Sequence, residues 1–155
     1  MRRLRPRPAS SSRSYYERWG LVVRVVVEVE VRPTESEEKV KKAVFSVIKP
    51  SSLRVEEIHG GFKLIKAECS SIECLKPLRE MALKQQVEPA LRSYLNKYRR
   101  GTRITLLLHK QAAYAEKLSL VDSERESPLG PIKLEIECAS EEEVERVIEY
   151  LTGSS

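Results

Sequence analysis

The sequence predicts an α+β fold in two layers: a largely antiparallel sheet covered on one face by helices. Three observations carry that prediction. One segment has a period-two apolar pattern, later strands fall in neighbouring pairs joined by turn residues, and helical stretches with capping signals interrupt them. The chain of 155 residues suits a single domain, and an apolar fraction of 41% suffices for a core.

The clearest strand runs from Leu21 to Arg32. Val23, Val25, Val27, Val29 and Val31 share one face, while Arg24, Glu28, Glu30 and Arg32 fall mainly on the other. Branched side chains suit a pleated surface with one wet face. Pro33 ends the strand, and Thr34 with Glu37 has the spacing of a capping box, which predicts a helix. Val40, Val44, Val47 and Ile48 form its apolar stripe, with Glu38, Lys41 and Lys42 outside and Pro50 closing it. Leu53 to Ile58 and Phe62 to Glu68 read as a hairpin around His59-Gly60-Gly61.

Ser71 to Arg100 reads as helix, but Pro77 and Pro89 forbid one continuous rod, so two pieces are expected, the second opened by Pro89 and ended by Gly101. Three more strands are expected around Ile104–Leu108, Leu118–Leu120 and Ile132–Ile136, the last two separated by the polar loop Asp122–Pro131. Ser140 and Glu143 form a second capping box, followed by Val144, Val147, Ile148 and Leu151 at helical spacing, with Gly153 placed to stop the helix. The expected organisation is a basic arm over residues 1–19, one domain over 20–152 and a short tail over 153–155.

Charge is unevenly placed. The arm holds Arg2, Arg3, Arg5, Arg7, Arg13 and Arg18 against Glu17 alone, which accounts for the whole net charge of +5, and the body balances to neutrality. Such an arm cannot bury enough surface to offset its chain entropy and is expected to lack structure when free. Arginine-rich arms become ordered on nucleic acid; an inert solubilising extension fits equally well. Tyr15, Tyr16 and Trp19 can stack on bases or pack over a sheet edge. Arg24 and Glu28 interrupt the apolar run that an export signal would need, and no window approaches the ~20 apolar residues of a membrane span. A cytoplasmic location follows as the expectation.

Cys69, Cys74 and Cys138 are odd in number and lack C-x-x-C spacing, so neither a disulfide framework nor a zinc site is expected; they read as small buried hydrophobes. No phosphate-cradling glycine loop, dinucleotide fingerprint, zinc-protease helix or serine elbow occurs, and no cofactor or catalytic constellation is expected. The residues that stand out are basic. Arg92, Lys97, Arg99, Arg100, Arg103 and Lys110 occur in a stretch, Arg92 to Ala115, that contains no acid, with Tyr94 and Tyr98 interleaved. They can hold phosphates, or they can simply compensate a helix C-terminus.

Two motifs go further: Val29-Glu30-Val31-Arg32-Pro33-Thr34-Glu35, and Leu108-His109-Lys110-Gln111-Ala112-Ala113-Tyr114 with Lys117-Leu118-Ser119-Leu120 and Ser127-Pro128-Leu129-Gly130-Pro131-Ile132 after it. Together, over about Val22 to Leu151, they resemble an uncharacterised archaeal family grouped with RNA-binding and exosome-associated proteins. The resemblance implies a fold similar to the ribosomal protein that binds five-S rRNA, an RNA partner and a homodimer. Arg92 matches an arginine that recurs in that family before the K-Q-A-A strand. The chain departs from the family pattern at His109, where asparagine is usual, at Glu116, where glycine is usual, and at Pro89, where a helical acid is common. Small Ala112 and Ala113 permit close packing, and Lys110 and Gln111 can then contact phosphate or base edges; a purely structural role for the segment fits equally well. The resulting expectation is an RNA-binding protein of translation or RNA processing that uses Arg92, Lys97, Arg99, Arg100, Arg103, Lys110 and Gln111. The rival is a dimeric interaction module with no nucleic-acid ligand.

Overall fold

The computed structural model describes residues 23–123 and 130–153. The basic arm with Tyr15, Tyr16 and Trp19, and most of the loop before Gly130, lie outside the described residues.

A valine on every second position makes β1 (Val23–Val31) the natural centre of the sheet, because such a strand can bury one whole face. It pairs antiparallel with β3 (Lys63–Cys69) on one side and β6 (Pro131–Cys138) on the other, Val27 facing Ala67 and Leu134. The other strands are β2 (Ser52–Glu57), β4 (Arg99–Arg100) and β5 (Arg103–His109), and the sheet order is β2-β3-β1-β6-β5-β4. All its pairings are antiparallel.

Helices α1 (Glu37–Val47), α2 (Lys76–Gln85), α3 (Glu88–Tyr98), α4 (Lys110–Tyr114) and α5 (Glu141–Thr152), with short 3-10 turns at His59–Gly61 and Ile72–Leu75, complete the described elements. The odd-numbered valines of β1 are buried in one core with Ile65, Leu106, Leu134, Val44 and Leu91. Each such side chain contributes about 1.5–3 kcal/mol by leaving water.

Several local expectations hold for the physical reasons given. Both prolines of the long helical stretch sit in first turns, where their missing N–H is not needed, and the break between α2 and α3 falls at Gln86, whose φ is 60°. Ser140 caps α5 by accepting from the Glu143 N–H at 3.2 Å, and Glu143 reaches back to the Ala139 N–H at 3.0 Å. Gly153 ends α5 in an extended conformation; a Cβ there would lie 2.7 Å from the Glu149 carbonyl oxygen, so close approach demands the glycine.

Others are corrected. The cap of α1 is Ser36, which accepts from the Lys39 N–H, and not Thr34. Pro33 to Glu35 form a turn closed from the Glu35 N–H to the Arg32 carbonyl at 2.9 Å, so the helix starts later. Gly101 does not end α3, which stops at Tyr98; it turns β4 into β5 at φ 59°. Leu118 to Leu120 make one bridge, Leu108 to Leu120, in place of a strand. The backbone of Leu118 is taken by the Gln85 side-chain amide, which accepts from its N–H at 2.7 Å and donates to its carbonyl at 3.2 Å. The K-Q-A-A segment is helix α4 and not a strand. Finally, Cys69 and Cys74 form a disulfide, because the end of β3 and the turn before α2 bring their Cα atoms within 6.6 Å. Cys138 stays a buried thiol, pushed up to about 12 by burial.

Candidate nucleic-acid interface

Strand alternation divides the charges before any site can form. Residues facing away from the helices include Arg54, Lys66, Arg24, Lys133 and Arg103, set among Glu56, Glu68, Glu28, Glu135 and Glu137. Opposite charges meet across and along the strands: Arg24 with Glu68 at 3.2 Å, Arg54 with Glu56 at 2.9 Å, Lys66 with Glu28 at 3.7 Å and Lys133 with Glu135 at 3.7 Å. Among the described residues, the open face is a lattice of ion pairs without an aromatic platform.

The sequence-predicted basic cluster is divided in the same way. Arg92 and Arg99, from α3 and β4, turn to α5 and pair with Glu149 at 3.0 Å and with Glu145. Lys97 lies 3.6 Å from Asp122 and over the Tyr98 ring. Arg103 binds Glu137 at 2.8 Å on the open face. Arg100 makes its hydrogen bonds to the carbonyls of Lys97 and Arg99, at 3.1 and 2.7 Å. Gln111 is exposed on α4. It lies beyond the far end of β5 from Arg103, about 20 Å away at the ordinary rise per strand residue. The tyrosines are also occupied. Their rings pack 4.6 Å apart, the Tyr94 hydroxyl donates to the Val121 carbonyl and accepts from the Leu107 N–H, and the Tyr98 hydroxyl donates to Asp122.

Lys110 is the clear correction. Its side chain is 0% exposed and its ammonium donates to the Glu30 carbonyl at 2.7 Å and to both Glu35 carboxylate oxygens at 3.0 and 3.2 Å. The same carboxylate accepts from the Tyr114 hydroxyl at 3.0 Å and the Arg32 N–H at 2.8 Å. Burial lowers the lysine's proton affinity and pushes Tyr114 up to about 12. A lysine enclosed in this way cannot reach a phosphate. It ties α4 to the turn between β1 and α1, so the two sequence motifs meet through one buried ion pair.

Two of the departures from the family pattern have local explanations. His109 caps α4, its Nδ1 accepting from the Ala112 N–H at 3.3 Å, a role asparagine fills well. Glu116 adopts φ 58°, the left-handed conformation that favours glycine.

Residues 24–138 match a family model described as RNA binding. The chain is 42% identical over 130 residues to a UPF0201 protein of Aeropyrum pernix, covering 83% of this chain and 84% of that one. It is 43% identical over 116 residues to a UPF0201 protein of Sulfolobus acidocaldarius, covering 75% and 79%.

The chain belongs to the UPF0201 family.

The crystal structure of the UPF0201 protein from Methanococcus jannaschii superposes with a TM-score of 0.74 over 85% of this chain and 94% of that one, at 24% identity, which establishes the shared fold. The family match begins within β1 and ends at the close of β6, so it takes in the whole sheet and leaves out α5. Sequence reasoning missed Glu35 as the partner of Lys110, and it passed over Phe45, an aromatic residue outside the apolar stripe of α1 and 52% exposed. An aromatic on the polar side of an amphipathic helix was the available signal.

Proposed function

We propose that this UPF0201 protein binds RNA in translation or RNA processing, chiefly through phosphate contacts. The observation that carries the reading is the match of residues 24–138 to a family model described as RNA binding. Arg92, Lys97, Arg99, Arg100 and Arg103, with Gln111, remain the phosphate-contacting residues of this reading, and Lys110 is withdrawn. Their carboxylate pairs, where present, are at the surface, and surface pairs are worth only about 0–1 kcal/mol. Phosphate can therefore displace those carboxylates at small cost. The likeness to the five-S rRNA binder and the homodimer belong to the same proposal; sedimentation tests the second.

The test is titration of labelled RNA at several salt concentrations. Affinity should fall steeply with salt, and Arg99→Glu with Arg100→Glu should flatten that slope by about 1.4 for a single strand. Affinity unchanged by the double substitution moves the reading to a protein-interaction module.

A further inference from the structure

We propose that the groove between α1 and α2 is a subsite for single-stranded RNA, in which a base stacks on Phe45 while Lys42 and Lys84 hold the adjoining phosphates. The inference rests on the RNA-binding reading and gives it a location that the family match does not.

The groove encloses about 390 Å³, within the range of ~300–1,000 Å³ found for small-molecule sites. Lys42, Phe45 and Ser46 of α1 line one side, Pro77, Glu80, Met81 and Lys84 of α2 the other, and Glu116 closes an end. The fold does not need this ring where it is. Val40, Ala43, Val44 and Val47 supply the buried side of α1, and Phe45 is left half in water. An exposed aromatic face over a groove is the platform on which an unpaired base stacks.

Charge separates this groove from the cluster read from sequence. There, four of the five surface cations have carboxylate partners. Among the described residues, no carboxylate lies within ion-pairing distance of Lys42 or Lys84, and both are exposed. Of the two acids in the lining, Glu80 faces Lys76 at 4.0 Å. Glu116 is free of ion pairs among the described residues, and a carboxylate there suits the exocyclic amino group of a base. The stack requires a base whose faces are open, so the ligand is single-stranded.

The experiment compares a labelled 12-nucleotide single-stranded RNA with a duplex of the same length, using the full chain. Phe45→Ala should weaken single-strand binding at least about fivefold, with the circular dichroism spectrum unchanged. Lys42→Glu with Lys84→Glu should weaken it further and reduce its salt dependence. Arg54→Glu, on the opposite face of the sheet, should change affinity less than twofold. In a Trp19→Phe background, the tryptophan of Phe45→Trp should be quenched on adding the single strand. Absence of salt-sensitive RNA binding by the wild-type chain overturns both the functional reading and the subsite. Wild-type binding with unaltered affinity in the Phe45 and double-lysine variants overturns the subsite alone. A wild-type dimer that Phe45→Ala dissociates also overturns it, because the groove is then covered by a second copy.

Discussion

The Lys110–Glu35 pair and the Arg103–Glu137 pair have the same chemistry and opposite meanings. They lie at the two ends of β5, one following the strand and one beginning it. The first is shut away from water and further bound by Tyr114, the Arg32 N–H and the Glu30 carbonyl. The second is about half exposed on the open face of the sheet. Withdrawing two charges from water costs several kcal/mol per ion, which is offset only while every partner remains in place. In water the same attraction is screened and worth little. A buried pair therefore commits two segments to each other, whereas a surface pair leaves its cation available to another anion.

Removing one buried partner should have the largest effect. Lys110→Met leaves the Glu35 carboxylate without its cation and should cost about 3–5 kcal/mol in urea unfolding. Adding Glu35→Gln should restore part of that loss, since the stranded charge is gone. A loss under 1 kcal/mol for the single variant would show that water reaches the pair.

Tyr114→Phe should cost about 2 kcal/mol, the range for a hydrogen bond to a charged group. It also has a pH signature. Tyr114 ionises near 10 in the unfolded chain but is pushed up to about 12 in the fold. Stability present below pH 10 is therefore lost as the pH rises towards 12. Cys138 acts in the same direction from pH 9 to about 12, while Lys110, lowered from 10.5, opposes both below that value. Thermal melts between pH 9 and 12 should show a shallower alkaline decline for Tyr114→Phe.

The smallest effect is expected at the surface. A double-mutant cycle of Arg103→Ala and Glu137→Ala should give a coupling below about 1 kcal/mol that shrinks in salt. A coupling as large as that of the buried pair would erase the distinction between the two ends of β5.

Most of the fold was legible in the chain because periodicity and turn chemistry are local. The β1 valines, the two proline-started helices and the Ser140 cap all act over a few residues. Some failures occurred where distant groups intervened. Leu118 has strand alternation, yet the Gln85 amide occupies its N–H and carbonyl. Cys69 and Cys74 carry no recognisable spacing and are joined by the path of the chain around them. The candidate site was less legible. Basic residues adjacent in sequence were divided among a helix layer, a sheet edge, an open face and the interior, because helix and strand direct neighbouring side chains to different sides.

By itself, the sequence determined a two-layer α+β domain with a valine strand at its heart, since alternation and capping are properties of short segments. Only the tertiary structure decided which charges were available to a polyanion. That depends on the carboxylate each cation meets across space and on the water left around it, and neither is written in residue order.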